Sequence, residues 1–547
     1  MAPANDGDSQ LTATEAKVTP PASQAGRSQL STNPYLGIVG VFLGAGTATL
    51  NGRLLSVGLA DLRGALGFGF DEASWIPTAL NMAMMFSGVF VVFLSALFGP
   101  RRILLPAAAI FTVTSVLLPF APHYWTMLVL VAIAGLASGT FYSLTMTFVL
   151  TSLPKRLIIF GIAAYAADIV FSSNIASALE GWYVEHLSWR WIFWHAAIFT
   201  PIMMLCIYFG IPRRPLPVDP RPSWRGFAYF SLGLSLVYGA LDQGERLYWL
   251  NSGVIVAMLA GGIFLLAAAL VRRILQPNPT LNLSFLNRRN IIVLALSIFA
   301  FRFVHLATIV VVPGFLSNVQ QYRALETGRA LAWVAVPMFA VVWLVAVTVI
   351  YTNSRMILAL GLTIVAVGCW IFAHVDTSWA GNSFEIVELV LAAGFACSYV
   401  GLVSSIVLEG LEAGALKSAV NAATFSGLMH FVRLFGGQVG VAVMTHFISE
   451  REKYHSNLLG LHVQAGSWLT DERLRMLSAG LLPGSTGEEE AQYRAVGILS
   501  QQVRAQAYTM ATSDGFVLIG WMVVAYLLLM LLLRPGNVSY KDLRNMQ

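Results

Sequence analysis

Five ionisable side chains stand near the middle of long apolar segments: Asp168, Arg302, His305, His430 and Arg433. A charge at the centre of a bilayer costs at least ~2.5–3.5 kcal/mol, so such a group normally faces protein or a water-filled cavity. A carboxylate or an imidazole in that position can carry a proton, and histidine titrates close to neutral pH. These five residues are therefore the candidates for proton coupling or substrate contact.

Each candidate also has a purely structural interpretation. Asp168, in the run AYAADIVFSSNIASALEG (164–181), is our prediction for the proton-carrying or substrate-contacting carboxylate. A permanent salt bridge to an arginine on a neighbouring helix is the alternative. The other four residues form two Arg/His pairs with a spacing of three, so each pair shares one helix face. The histidines are alternatively hydrogen-bonded core residues, and Arg433 alternatively packs or gates two helices.

The charge balance of these residues points to a substrate class. Arg302 and Arg433 outnumber the one aspartate, and the two histidines can add positive charge. We expect a cavity with this balance to favour an anionic or neutral amphiphile over an organic cation. Inverted vesicles that take up cationic dyes but no organic anions would contradict this hypothesis.

The composition places these residues in a membrane. Of the 547 residues, 57% are hydrophobic and 11% are charged, whereas soluble proteins use about 25% charged residues. The mean hydropathy is +0.71. The chain is therefore predicted to be an all-α integral membrane protein. The net charge of +6 comes with arginines clustered between apolar runs, which is a topology signal, so we predict no nucleic-acid partner.

Runs of about 20 apolar residues are long enough to cross the bilayer, and the sequence contains fourteen. Each run is continuously apolar, which predicts helices and not barrel strands. The predicted spans are 35–59, 75–97, 102–120, 124–150, 156–182, 191–211, 226–242, 251–274, 290–316, 328–350, 356–374, 384–407, 418–447 and 514–534.

The short loops differ in charge on the two sides of these spans. Basic residues concentrate in alternate connections, including Arg101/Arg102 and Lys155/Arg156, which predicts that those connections are cytoplasmic. An even number of spans then puts both termini in the cytoplasm. One connection, 448–513, is long and polar, and its helical apolar spacing predicts an ordered cap or docking element on the other side.

No catalytic or metal-binding motif occurs in the sequence. There is no HExxH, P-loop or nucleophile elbow. The three cysteines, Cys206, Cys369 and Cys397, lie in apolar runs without metal-ligand spacing. We therefore predict neither an enzyme nor a bound cofactor or metal, and the absence of a Walker motif excludes ATP-driven export by this chain alone.

Three stretches resemble a known family, the 14-span drug/proton antiporters of the major facilitator superfamily (EmrB/QacA type). They are SWRWIFWHAAIFTPI (188–202), LDQGERLYWLNS (241–252) and FVRLFGGQVGVAVMTHFISEREKYH (431–455). The resemblance covers roughly residues 35–534. It implies the major facilitator fold: two six-helix bundles, with two extra central helices, which rock around a cavity open to one side at a time.

The resemblance also implies a function and a domain layout. Relatives export small amphipathic compounds against an inward flow of protons, in a bacterial inner membrane, and some work with a periplasmic adaptor and an outer-membrane channel. The layout expected here is an N-terminal bundle (35–211), the two extra helices with linkers (212–289), a C-terminal bundle (290–534) that includes the outer loop 448–513, and a cytoplasmic tail (535–547). Residues 1–34, polar and rich in Ala, Ser, Thr and Pro, are predicted to be a disordered cytoplasmic tail.

The sequence departs from the family at its coupling motifs. Asn51 and Arg53 replace the Asp and Thr of span one. In the motif after span two, Gly99, Arg101 and Arg102 are kept. Other family residues are replaced by Val92, Ala96, Val131, Ala134, Ala176, Ser177 and Glu180. A proton-independent facilitator, or a sensor derived from a transporter, is therefore the alternative to proton-driven export.

Gating or interface roles are expected for the remaining residues of these motifs. Gly99, Arg101 and Arg102 match the family's loop after span two. Arg53 and Glu180 stand toward the outer ends of their helices. There we expect them to snorkel, with the charged end of the side chain extending to the membrane interface.

Overall fold

The computed structural model describes residues 33–211, 224–275, 287–414, 419–534 and 540–541. Within these ranges every regular element is helical. A helix is the element expected in hydrocarbon, because it satisfies its backbone N–H and C=O groups internally. Almost all of the two predicted tails, 1–34 and 535–547, lies outside the described residues.

The helices follow the predicted spans closely. Their bounds are α1 (Pro34–Val57), α2 (Leu59–Leu66), α3 (Phe70–Phe98), α4 (Pro100–Leu117), α5 (Tyr124–Ser152), α6 (Ile158–His186), α7 (Trp191–Gly210), α8 (Trp224–Gln243), α9 (Gly253–Leu275), α10 (Arg289–Val304), α11 (Val312–Asn318), α12 (Ala324–Tyr351), α13 (Ser354–Phe372), α14 (Gly381–Ala413), α15 (Ala419–Gly460), α16 (Trp468–Leu481) and α17 (Glu488–Met530).

Thirteen helical stretches of the described residues are long and apolar enough to cross a membrane. One of them, Arg289–Asn318, consists of α10, a π-helical turn at Ala307–Val311 and α11. The remaining predicted span, 226–242, corresponds to α8. This helix has 20 residues and is not among the thirteen; it carries Arg225 near its start and Asp242 and Gln243 at its end.

The spans form two bundles. Helices α1 and α3–α7 pack on one another, and α10–α15 pack on one another and on α17. The inserted pair, α8 and α9, packs through α8 against α3 of the first bundle and α15 of the second. The bundles meet mainly where α6 lies along α12 and where α3 lies along α15.

Small residues allow the close approach of α6 and α12. A Cβ atom placed on Gly181 would collide with the backbone of Leu325, and one on Gly328 would collide with the backbone of Ala178. Glycine and alanine at such positions let two membrane helices approach to backbone contact, where dispersion attraction is strongest. This contact joins the two bundles near one end of the spans.

The predicted outer loop, residues 448–513, is not a loop. Helix α15 runs for 42 residues to Gly460 and α17 runs for 43 residues from Glu488, so each spans the bundle and continues beyond it without a break. The extensions and α16 form a helical stalk, residues 448–513, in which α16 packs on α17. We call the end of the molecule that carries it the stalk face, and the opposite end, with Arg101 and Lys155, the basic face.

An ion-pair cluster fixes the base of the stalk. The Asp514 carboxylate accepts from Arg451 Nε at 2.6 Å and lies 2.7 Å from His455 Nε2. Both partners are on α15 and Asp514 is on α17, so the cluster joins the two long helices where they leave the bundle.

Candidate functional site

Asp168 lies on α6 in the interior of the first bundle and is fully enclosed. Thr49 Oγ1 on α1 donates to one of its carboxylate oxygens at 3.1 Å, and Ser172 Oγ, one turn along α6, donates to the other at 2.8 Å. A Cβ atom on Gly46 would be 3.1 Å from the carboxylate, so glycine there leaves room for it. Two hydroxyl groups therefore hold Asp168.

The alternative of a permanent salt bridge does not match this geometry. Among the described residues, the ion pairs with nitrogen and oxygen within 4.0 Å do not include Asp168. Arg433 and Arg302 are close enough to act on it electrostatically. The carboxylate is thus near two cations without being bound to either one.

Arg433 lies on α15 at the interface of the bundles, and 4% of its surface is exposed. Its guanidinium carbon is 3.4 Å from the centroid of the Tyr142 ring, on α5 of the other bundle. The Tyr142 ring in turn contacts Tyr165 of α6, with ring centroids 4.3 Å apart. Stacking on an aromatic face partly compensates a buried guanidinium for its lost hydration.

Arg302 and His305 lie where α10 gives way to the π-helical turn. Arg302 Nη1 is 3.5 Å from His305 Nδ1, so the pair predicted to share a helix face is in contact. His305 Nε2 is 3.4 Å from the Asn174 amide nitrogen on α6. His305 therefore connects the second bundle to the helix that carries Asp168.

Arg53 does not extend to the membrane interface, so the predicted snorkelling is wrong for this residue. Its Nη2 donates to the Ile309 carbonyl at 3.4 Å, across the bundle interface, and it lies within electrostatic range of Arg302. The reason is the π-helical turn that contains Ile309, because such a turn departs from the regular i to i−4 ladder and presents carbonyl groups to other donors.

Glu180 does not snorkel either, because its side chain is fully enclosed. It turns inward beside Gly58 and Ile192, and a Cβ atom at position 58 would come within 2.8 Å of a carboxylate oxygen. Asp61 of α2 is its electrostatic neighbour. Glu180 is therefore an interior carboxylate at the stalk-face end of α6.

His430, the partner of Arg433 in sequence, is fully enclosed against α3. Its imidazole occupies the space that any side chain at Gly88 would need. Neither ring nitrogen has a hydrogen-bond partner among the described residues. His430 thus contacts α3 by packing, and the predicted spacing places it one turn from the arginine on the same helix face.

The three motif residues at the basic face lie at the turn from α3 to α4 and at the start of α4. Gly99 has φ of +80° and ψ of 151°, which a residue with a side chain rarely adopts, so the turn from α3 to α4 requires glycine. Arg101 Nη1 donates to the Ile211 carbonyl at 2.9 Å, and its guanidinium lies over the Tyr208 ring. Arg102 is exposed. Their predicted gating role stays a prediction.

A cavity of about 510 Å³ opens on the stalk face, between α11, α15 and α17. Val310 is in its wall, next to the residue whose carbonyl binds Arg53. Glu452, Arg504 and Tyr508 supply polar groups to the lining. One wall of the cavity is thus adjacent in sequence to Ile309, which binds Arg53.

Three acidic residues with a place in the interior were missed by the sequence reasoning. Asp242 ends α8 and accepts from Thr78 and Gln438. Glu388 on α14 is fully enclosed without a hydrogen-bond partner among the described residues. Glu409, near the basic face, pairs with Arg355 and accepts from Asn290. The sequence signal was present for all three, because each is an ionisable residue inside an apolar run or within two residues of its end.

The chain matches the family model described as Major Facilitator Superfamily over residues 41–440. Its curated relatives include the multidrug export protein EmrB of Haemophilus influenzae, 22% identical over 85% of this chain and 89% of that protein. The fatty acid resistance protein FarB of Neisseria gonorrhoeae is 23% identical over 86% of this chain and 90% of its own length.

Solved structures support the same fold. The proton:xylose symporter XylE superposes with a TM-score of 0.55 at 13% identity, covering 94% of this chain and 98% of its own. The human organic anion transporter MFSD10 superposes with a TM-score of 0.52 at 14% identity, covering 90% and 99%. The family match, the two bundles and relatives of the EmrB and FarB type along most of the sequence agree. The chain is a multi-pass membrane protein that belongs to the Major Facilitator Superfamily, a family of transporters and not of enzymes.

Proposed function

We propose that this protein is a proton-driven exporter of small amphipathic anions that works by alternating access. One observation carries the proposal: the interface of the bundles holds Arg53, Arg302 and Arg433, while the nearby carboxylate, Asp168, accepts from two hydroxyl groups and forms no ion pair within the described part of the chain. Among the described residues none of these three guanidinium groups has a carboxylate partner within 4.0 Å. In a low-dielectric site such groups attract an anion, and arginine binds carboxylate, sulfonate and phosphate groups in a planar, bidentate manner.

The chemistry of the surrounding residues supports an amphipathic substrate. Beside the arginines lie the rings of Tyr142 and Tyr165, and a cluster of three phenylalanines, Phe42, Phe171 and Phe339, joins the bundles with ring centroids 5.3 to 6.3 Å apart. A ligand with an anionic head and an apolar body could bind the arginines with its head and the aromatic rings with its body. The fatty acid resistance protein FarB is among the relatives, in accordance with fatty-acid-like anions as one substrate group.

Asp168 is the residue that we assign to proton coupling. It is enclosed, it lies on the same helix as Asn174, which contacts His305, and it is within electrostatic range of two arginines. Antiport requires that substrate binding and proton binding exclude each other. The field of a bound anion alone would hold the proton on Asp168, so we propose that the exclusion is conformational: the substrate and the proton stabilise opposite arrangements of the two bundles.

Proteoliposomes test the proposal. The probe is taurocholate, an amphipathic sulfonate whose permanent charge limits passive leak, and ethidium is the cationic comparison. With an acidic lumen, the wild-type protein should accumulate taurocholate well above ethidium as protons leave. Arg302→Gln and Arg433→Gln should each reduce uptake at least tenfold. Uptake of ethidium without taurocholate would overturn the anion assignment.

The Asp168→Asn variant tests coupling separately. We expect it to lose accumulation driven by the pH gradient but to keep taurocholate exchange at equal pH, because exchange needs no net proton transfer. Asp376→Asn, a change at an exposed carboxylate on the stalk face, is the matched control and should stay coupled. A fully coupled Asp168→Asn variant would remove this residue from the mechanism.

The second candidate is a proton-independent facilitator or a transporter-derived sensor. It is favoured by the replacement of the family's coupling residues, since the span-four positions carry buried Val131 and Ala134. Wild-type taurocholate flux that ignores the pH gradient identifies a facilitator. Taurocholate binding without any flux identifies a sensor.

Orientation and partners complete the proposal. We infer that the basic face is cytoplasmic, with both termini on that side of a bacterial inner membrane, from the basic residues in its connections.

The stalk exposes large apolar side chains, including Trp468, Leu469 and Tyr493. A periplasmic adaptor, leading to an outer-membrane channel, is the partner that we propose for this surface. Changing these three residues to serine should abolish co-purification with an adaptor and leave taurocholate uptake intact.

A further inference from the structure

The tip of the inserted helix pair, residues 242–246, lies between the two bundles at the stalk face. On one side it is bound to α3. Gln243 Nε2 donates to the Ser74 carbonyl at 3.0 Å and contacts the Thr78 hydroxyl at 2.5 Å. Arg246 pairs with Asp71, at the first turn of the same helix. The tip is thus fastened to the first bundle by a backbone carbonyl, a hydroxyl and an ion pair.

On the other side the tip is bound to α15. Gln438 Nε2 donates to Asp242 Oδ1 at 2.8 Å, and His446 Nδ1 lies 2.8 Å from Glu245 Oε2. Gln438 and His446 are eight residues apart, which places them about two turns apart on one face of the helix. Asp242 also accepts from the Thr78 hydroxyl, so one carboxylate connects α3 with α15.

The rest of the α3–α15 seam is joined differently. The body of α8 packs on both helices through apolar side chains, such as Phe230 against Phe431. Toward the basic face α3 and α15 are also in direct contact, where Gly88 meets His430. Gln438 stands five residues from Arg433 toward the stalk face. The tip therefore closes the stalk-side end of the seam through polar contacts.

We propose that residues 242–246 are a latch over the stalk-face half of the site, and that the latch leaves α15 and stays with α3 when that half opens. The proposal rests on the alternating-access function proposed above. Four hydrogen bonds or ion pairs join the latch to α3, one of them to a main-chain oxygen, and two side-chain contacts join it to α15. The contact to α15 is the smaller of the two, so it is the one that separates.

Spin-label distances in the full-length protein test the latch. Labels are placed at Gly64, where a side chain meets open space, and at the exposed Ala380 of the second bundle. The three native cysteines are changed to alanine, and the protein is reconstituted in lipid nanodiscs without substrate. The double variant Gln438→Leu/His446→Ala should raise the population of the long Gly64–Ala380 distance at least threefold. Asn251→Ala, on the same hairpin but exposed, is the control and should change nothing.

A third label identifies the side that separates. At Leu250, which is 72% exposed near the latch, the distance to Gly64 should stay constant while the distance to Ala380 lengthens in the double variant. Unchanged Gly64–Ala380 distances, or a Leu250 label that keeps its distance to Ala380 and leaves Gly64, would overturn the proposal. If the double variant does not fold, His446→Ala alone, at a half-exposed site, carries the same test.

The distances do not depend on the substrate. If the labels separate as expected but taurocholate is not transported, the latch stands and the proposed substrate fails. If taurocholate is transported with proton coupling but the labels do not move, the latch fails alone.

Discussion

The Arg433 guanidinium carbon lies 3.4 Å from the centre of the Tyr142 ring, so a cation of the second bundle rests on an aromatic face of the first. The contact joins α15 to α5 across the interface that has to open and close in an alternating-access cycle. It couples a charge in the proposed substrate region to the packing of the two bundles.

Arg433→Lys should impair transport although the charge is kept. The ammonium of lysine is compact and cannot stack as a plane on the Tyr142 ring, and a desolvated cation–π contact is worth about 0.5–2 kcal/mol. We expect taurocholate uptake to fall at least fivefold. Tyr142→Phe retains the ring and should transport normally, whereas Tyr142→Leu should behave like Arg433→Lys. Equal activity of all three variants would show that the stacking has no role.

Gly181→Ala should destabilise the α6–α12 contact. The added methyl group would collide with the backbone of Leu325, which cannot move aside like the end of a flexible side chain. Overpacking of this kind costs about 1–3 kcal/mol, so the thermal unfolding midpoint in detergent should fall. Gly64→Ala is the matched control, because its methyl group meets open space. An unchanged midpoint for Gly181→Ala would mean that the two helices separate readily.

Arg355→Ala should lower the free energy of unfolding, because it leaves the Glu409 carboxylate without its counter-ion. Glu409 is 6% exposed and accepts from Arg355 and Asn290, so losing the arginine removes the counter-ion of an almost enclosed carboxylate. Leaving such a group under-satisfied costs about 1–3 kcal/mol. The control is Arg102→Ala, at an exposed site on the same face. Thermal unfolding of the two variants side by side measures the difference, and equal midpoints would contradict the expectation.

Asp514→Ala should loosen the stalk without stopping transport. The change removes the acceptor shared by Arg451 and His455 at the base of the stalk. Amide hydrogen exchange should become faster in residues 448–460 and 488–513 and stay unchanged in α1–α7. Glu450→Ala breaks a solvent-exposed pair with Lys453. Solvent screens such a pair and it contributes little to stability, so this variant should leave exchange unaltered. Faster exchange throughout the chain would instead indicate global destabilisation.

The burial of ionisable residues inside the protein was predicted well from the sequence. The cost of burying a charge identified Asp168, Arg302, His305, His430 and Arg433 as interior residues, and the structure encloses or half-buries all five. The span lengths and the family signatures predicted the helical fold in the same way, because hydropathy is a property of each segment by itself.

Rotation about the helix axis and the choice of neighbour could not be predicted. Arg53 and Glu180 stand near helix ends, where a long side chain can reach either the interface or the interior. Arg53 turns to the interior because of a π-helical turn that lies 256 residues away in the sequence. Glu180 turns to the interior because Gly58 leaves space for it. Likewise the sequence of residues 448–513 predicted helices, but not that they continue α15 and α17 without a break.

The continuity of α15 has a mechanical consequence. A helix of 42 residues is about 63 Å long, and Arg433 sits on the same rod as the residues that enter the stalk. If α15 tilts about a point near Arg433, its displacement grows with distance along the helix. A small movement at the arginines therefore produces a larger movement at the far end of the stalk. A protein bound to the far end of the stalk would be displaced each time the bundles change conformation. By preventing that displacement, the same protein would also inhibit the transport cycle.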